Sequence, residues 1–410
     1  MQTVLTGAWV FDGRSYLPDG HQVLVEGERI QAVGTAIETA ADHDTEIIDL
    51  AGHTLLPGFI DAHAHPSIPP GQTIEQLLGA TPIYLAMQAV PQLAATLAAG
   101  VTTVRDAAGS DAGLKRALAE GLITGPRLLV SLVQISPSGG PNDARTLSGA
   151  ELRLERPGIP NPVADGPDAL RFKVREFIAA GADVIKVFAT WHMAAERDGA
   201  RRRTFTDAEL AALVDEATAL GVRVMAHAHG SGGAIAAARA GAASIEHGVY
   251  LDDDAIGVMR EHGTTLVPTL LASAALLEAP DDQAIPERDL QRRRAIVDGH
   301  RDAVRRAIAA GVPIVFGTDS GVTAHGRNLD ELALMEACGM SPVDVLRSAT
   351  SGAAVLLGLE DEIGTIASGH IADLVVIEGP AEPLASLPRR VRAVIQRGRL
   401  VSGSWPSPTP

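Results

Sequence analysis

His63 and His65 close an apolar run, Leu55-Leu56-Pro57-Gly58-Phe59-Ile60-Asp61-Ala62, with a single alanine between them. In a β-strand, side chains two apart project from the same face. Two imidazoles on one face at the end of a buried strand offer one metal ion two nitrogen ligands. Alone, a His-X-His pair is a weak signal. Here other groups of ligand type follow in, or at the end of, further apolar strand-like runs: Lys186, His227, His247 and Asp319. Each has an ordinary alternative when taken singly. A histidine at a strand end is often a satisfied core residue, and Asp319 in Gly317-Thr318-Asp319-Ser320 has the form of a helix cap.

Lys186 narrows the choice. The chain has only three lysines, Lys115, Lys173 and Lys186, and the last interrupts Val184-Ile185 and Val187-Phe188-Ala189. A buried ammonium without a partner loses its proton readily. One reading is a buried ion pair with an acidic neighbour. The other is a neutral amine that adds carbon dioxide, giving a carbamate whose two oxygens can bridge two metals. The residues alone leave both open.

These groups need elements to hold them. Short β-rich runs at 55–60, 101–105, 127–134, 183–189, 222–227, 243–247, 264–268 and 312–318 alternate with Ala-rich helical segments. Several follow an Ala-Gly or Leu-Gly step, the usual stop of a helix. Eight strands separated by helices predict a (β/α)₈ TIM barrel, here over 55–359. In such barrels the chemistry sits at the C-terminal ends of the strands, where every candidate falls. Residues 1–54 and 360–403 instead read as short strands and turns, predicting one small β-sandwich built from both termini. Residues 404–410, ending Pro-Ser-Pro-Thr-Pro, read as a flexible tail.

Composition removes other classes. A net charge of −16, with no Lys/Arg cluster among aromatics, argues against nucleic acid or an anionic membrane as partner. Hydrophobic residues make up 46% but aromatics only 3%, so aliphatic side chains must fill the core. The single Cys338 excludes an internal disulfide. No segment has the apolar length of a spanning helix, and the N-terminus lacks the pattern of a signal peptide. A cytoplasmic protein is the expectation.

Taken together, the runs around 56–65, 181–187, 226–230, 244–248, 317–320 and 364–375 resemble the amidohydrolase superfamily of metal-dependent hydrolases along nearly the whole chain. Within it the chain looks most like the imidazolonepropionase-related branch, with its Xaa-Pro and Xaa-Arg peptidases and ochratoxin-type amidases. The resemblance implies two zinc ions: His63 and His65 with Asp319 on the first, His227 and His247 on the second. N6-carboxylated Lys186 and a hydroxide would bridge them. Asp319 would also carry the proton from the attacking hydroxide to the leaving amine. Relatives of this kind are commonly homo-oligomers, so an oligomer is expected. The substrate implied is a small-molecule amide, of the dipeptide or N-acyl amino acid type.

Two loops depart from that pattern. Relatives carry Gly-Gly-His-Gly-Asp after the third strand, where this chain has Gly139-Gly140-Pro141-Asn142-Asp143. Proline cannot donate the hydrogen bond that the histidine would give a substrate carbonyl. After Lys186, the branch's Ala-Thr-Gly-Gly becomes Ala189-Thr190-Trp191-His192-Met193. His192 or His229 is the expected replacement donor to the developing oxyanion; plain loop packing by Trp191 and Met193 is the alternative. Arg201-Arg202-Arg203 and Arg292-Arg293-Arg294 read as solvated surface, and His325 as a minor substrate contact. Competing activities are hydrolysis of a cyclic amide, imidazolone, lactone or ester, a mononuclear deaminase, and a non-catalytic scaffold. Lys186 weighs against the deaminase, and the full ligand set against the scaffold.

Overall fold

The computed structural model describes residues 2–37, 45–72, 74–146, 148–153, 156–193, 199–278 and 285–406. Through the middle of the chain, parallel strands alternate with helices. Three strands form one parallel sheet, β1 (Phe59–Ala64), β2 (Val101–Asp106) and β3 (Arg127–Leu129). Four form another, β4 (Val184–Phe188), β5 (Arg223–Gly230), β6 (Ser244–Tyr250) and β7 (Thr265–Val267). β1, β2 and β4 are buried along their full length, so none of them shows the alternation of a strand with one face in solvent. The glycine steps end helices as expected. Gly181 and Gly241 take φ of 94° and 92°, conformations that a side chain resists.

Hydrogen bonds join the two sheets at both edges. On one side Ile135 N donates to Lys186 O and Phe188 N to Ile135 O, at 2.8 and 3.0 Å. On the other, Leu266 N donates to Pro313 O at 2.8 Å and Val315 N to Leu266 O at 3.0 Å. The same segment then meets β1, with Ala62 N bonded to Phe316 O and Asp319 N to His63 O, at 3.1 and 2.7 Å.

Three of the expected strands differ in form. The run 55–60 is divided: His53–Pro57 pairs in a terminal sheet, and β1 begins at Phe59. Pro57 has no N–H to continue a ladder, and Gly58 turns its own N–H to Asp373 O at 2.7 Å. The run 127–134 stops as a strand at Leu129, because Leu132 adopts a left-handed φ of 67° before pairing resumes at Ile135. The run 312–318 makes only an isolated bridge at Ile314. Pro313 cannot donate, and Phe316 sends its N–H to Ser348 O instead.

The chain ends supply two further sheets. One orders Arg29–Gly34, Gln22–Glu26, Gln2–Thr6 and Thr45–Asp49. The other orders Arg399–Gly403, Val391–Gln396, Leu374–Glu378, His53–Pro57 and Trp9–Val10, so it draws on both termini. Leu5, Val25 and Ile48 of the first share one core with Leu55, Val376 and Ile395 of the second. Trp405, in the segment expected to be a flexible tail, packs against that core; residues 407–410 lie outside the described residues. Among the described residues no helix is long and apolar enough to cross a membrane.

Candidate metal centre

Each sequence-predicted ligand reaches one cavity of about 370 Å³. His63 lies within β1, one residue before its end, and His65 just beyond it; Lys186 lies within β4, His227 and His229 within β5, and His247 within β6. Asp319 follows the segment bridged to β7. All seven line the cavity, together with His192 from the loop after β4. Two triads emerge. The ligand atoms of His63, His65 and Asp319 lie within 4.8 Å of one another, and so do those of His227, His229 and His247. His229, expected as an oxyanion donor, thus stands beside His227 and His247.

Hydrogen bonds fix which ring atoms are available. His63 Nδ1 donates to Glu246 Oε2 at 2.6 Å, and His65 Nδ1 to the Ala108 carbonyl at 2.9 Å. With each Nδ1 so engaged, Nε2 is the ring atom left to face Asp319, whose Oδ1 lies 3.4 Å from that of His63 and 3.1 Å from that of His65. His247 Nδ1 meets Thr269 Oγ1 at 2.8 Å, and His227 Nε2 donates to Trp191 O at 3.3 Å. Burial, with the neighbouring His229 for His227 and His227 for His247, holds both imidazoles well below the usual histidine value and therefore neutral. Burial works against ionisation of Asp319, but hydrogen bonds from His63 and His65 outweigh it and hold the carboxyl well below its ordinary range.

The backbone around the site is strained. His247, Thr269 and Asp319 have φ of 73°, 51° and 58°, in the left-handed region that non-glycine residues rarely occupy. Such conformations persist only where surrounding structure enforces them, and they gather at functional sites. His300 is one enforcer: from the helix Glu287–Ala309, its Nε2 donates to His247 O at 2.9 Å. Its Nδ1 accepts from Ser273 Oγ at 2.6 Å, and burial pushes its pKa down to about 4. Asp61 is another. It accepts from Thr318 Oγ1 at 2.6 Å and Asn328 Nδ2 at 2.8 Å, tying the Asp319 segment to β1.

Sequence reasoning passed over these supports. The most telling is Glu246, which also takes Arg105 Nη2 at 3.1 Å. Burial would raise this carboxyl, but Arg105 and Lys186 outweigh it and hold it down to about 2. A lone arginine in β2 and a lone glutamate in β6, both in buried strands, were the available signal, since opposite charges in apolar runs must meet. Other expectations fall outside the centre. His325 turns to Thr96 Oγ1 at 3.1 Å and does not line the cavity. Arg201 stacks on the Tyr250 ring at 4.3 Å, Arg203 pairs with Asp207, Arg293 donates to Leu276 O at 3.0 Å and Arg294 lies near Glu287. None lines the cavity.

Lys186 is the unsettled group. It is 1% exposed, yet its Nζ has no hydrogen-bond partner. Burial pushes the amine down to about 8, against the attraction of Glu246. An orphaned nitrogen in a cavity also lined by both triads suits a group added to the amine, and a set of five imidazoles and one carboxylate suits a pair of divalent cations.

Known proteins share this arrangement of chain. Residues 54–401 match the amidohydrolase family. An ochratoxinase of Aspergillus niger is 32% identical over 322 residues, 74% of this chain; the match spans 66% of that protein's length. A solved prolidase complexed with N-methylphosphonate-L-proline superposes with a TM-score of 0.89 at 34% identity, covering 98% of this chain and 100% of its own. A Xaa-Pro dipeptidase with methionine bound in its active site gives 0.86 at 30% identity, with 98% and 100% covered. The chain belongs to the amidohydrolase family of hydrolases.

Proposed function

We propose that this protein is a binuclear zinc hydrolase that cleaves an amide bond in a dipeptide or N-acyl amino acid. The observation that carries the reading is the partnerless Nζ of buried Lys186, in the cavity that both triads line. As a neutral amine it adds carbon dioxide and releases a proton, leaving a carbamate with two oxygens. His63, His65 and Asp319 would then hold one cation and His227 and His247 the other, with the carbamate between them. Bound there, two divalent cations supply Lewis acidity toward the scissile carbonyl and lower the pKa of water. Imidazole and carboxylate donors without cysteine favour zinc.

The remaining chemistry falls to the chain. Asp319, ionised, accepts a proton from the attacking water and returns it to the leaving amine. His229 or His192 donates an N–H to the carbonyl oxygen as charge develops there. Burial pushes His229 down to about 3 and lowers His192 as well, so each is a neutral donor at physiological pH. Met193, Val249, Leu276, Ile296 and Val322 surround the rest of the cavity and suit an apolar acyl group.

The scaffold belongs to the same proposal. The edge hydrogen bonds support closure of the two parallel sheets into an eight-stranded (β/α)₈ barrel over 55–359. The common core of the terminal sheets supports a β-sandwich from 1–54 and 360–403. The test is a screen of dipeptides and N-acyl amino acids against protein grown with zinc and bicarbonate, with Lys186→Ala as the blank. Turnover absent from the blank is expected; turnover confined to cyclic amides or lactones, or equal in the blank, would contradict the reading.

A further inference from the structure

Among the described residues that line the cavity of the candidate centre there is no arginine, and Lys186 is its single lysine. A second cavity, of about 310 Å³, adjoins it. Gln134, Phe188 and His192 line both, forming the boundary between them. Into the second cavity reach Arg153 and Arg156, both half-buried, from the long loop after β3.

Their side-chain hydrogen bonds run to neutral groups, although Glu151 lies near Arg153. Arg153 Nη2 donates to Asn142 O at 2.8 Å, and Arg156 Nη2 to Leu77 O at 3.0 Å. Each guanidinium is thereby anchored by one terminal nitrogen to a neutral carbonyl, and no ion pair to either is found among the described residues. The acid that lines the same cavity is already taken. Asp143 receives Arg145 Nε at 2.9 Å, Arg145 Nη2 at 2.6 Å and Gly139 N at 2.7 Å. Burial lowers the pKa of both arginines; for Arg153 the attraction of Glu151 opposes this and the neighbouring Arg156 adds to it. An arginine stays charged even so, and its planar fork matches a carboxylate.

We propose that Arg153 and Arg156 are specificity-determining residues that bind a carboxylate on the amine side of the scissile amide. The proposal rests on the hydrolase reading above and assigns the residues that recognise the carboxylate of such a substrate. The apolar acyl group lies among Leu276, Ile296 and Met193, and the free carboxylate of the leaving amino acid crosses the Gln134–Phe188–His192 boundary. Neutral amides of the same shape are poor ligands, because nothing in the second cavity then offsets desolvation of the two guanidinium groups.

The test separates binding from turnover. The probes are a ketomethylene analogue of N-benzoyl-leucine, whose amide nitrogen is replaced by CH₂, and its alcohol, with CH₂OH in place of the carboxylate. Titration calorimetry with zinc-loaded protein is expected to give an acid-to-alcohol affinity ratio of about tenfold or more. Arg153→Met and Arg156→Met each reduce that ratio severalfold. Arg153→Lys and Arg156→Lys, which keep charge but lose the fork, give intermediate ratios and carry the comparison if a Met variant fails to fold. Equal affinity for acid and alcohol in the unaltered protein, or ratios unchanged in all variants, would overturn the proposal. N-benzoyl-leucine itself is assayed for hydrolysis in parallel. Preference for the acid without turnover upholds the carboxylate subsite while contradicting the hydrolase reading.

Discussion

Glu246 Oε2 lies 2.6 Å from Nδ1 of His63, and the same carboxylate pairs with buried Arg105 at 3.1 Å. A charge held inside β2 is thereby coupled through β6 to a candidate ligand on β1. The pairing fixes the His63 tautomer and makes its Nε2 a better donor to a cation. Replacing Glu246 by Gln should lower zinc affinity about 10- to 100-fold, measured by competition with a chromophoric chelator. Arg105 is left without its counter-charge, so stability should also fall, by about 3–5 kcal/mol in urea titrations. Unchanged zinc affinity in a folded variant would remove Glu246 from the site.

His300 makes a separate test, because it touches the centre only through the backbone of His247. His300→Ala removes the donor that holds His247 O and leaves Ser273 without its acceptor. The expected outcome is a folded protein with a lower Tm and weaker retention of the second metal. Plasma mass spectrometry after dialysis against a chelator would read this as loss of up to one zinc per chain, the first site being retained.

Gly321 lies against His65. A β-carbon there would sit 2.7 Å from His65 Cβ, and the glycine φ is 117°. Gly321→Ala must therefore displace His65 or the backbone, at a cost of about 1–3 kcal/mol. Thermal unfolding and zinc content should fall together. A variant with normal zinc and normal Tm would contradict the close contact.

The pKa of Lys186 sets a pH dependence in metal-free protein. Below about 8 the amine is an ammonium and cannot add carbon dioxide; above it the neutral form can. Uptake of ¹³C-labelled bicarbonate, followed by the carbamate carbon in NMR, should rise as pH is increased from 6 through 8. Lys186→Met should give no such signal, and a flat profile in the unaltered protein would count against carbamylation.

Much of this site was legible because its residue types break their context. A lysine amid valines and isoleucines, or histidines ending apolar runs, announces a cost that function must explain, as at Lys186, His63 and His247. The supports were harder to see. Helical spacing on Glu287–Ala309 gives His300 a face but not the partner that face meets. Nor do residue types encode the left-handed backbone at His247 and Asp319, which tertiary hydrogen bonds impose. The expected strand over 312–318 failed at Pro313, whose missing N–H leaves only a bridge at Ile314. Trp405, assigned to a tail by its prolines, instead packs on the terminal core.

The central claim is that Lys186 joins two metal positions. Zinc per chain, counted by plasma mass spectrometry after loading with zinc and bicarbonate, tests it most directly. The account expects two per chain in the unaltered protein and at most one in Lys186→Ala. One zinc per chain in both would contradict it.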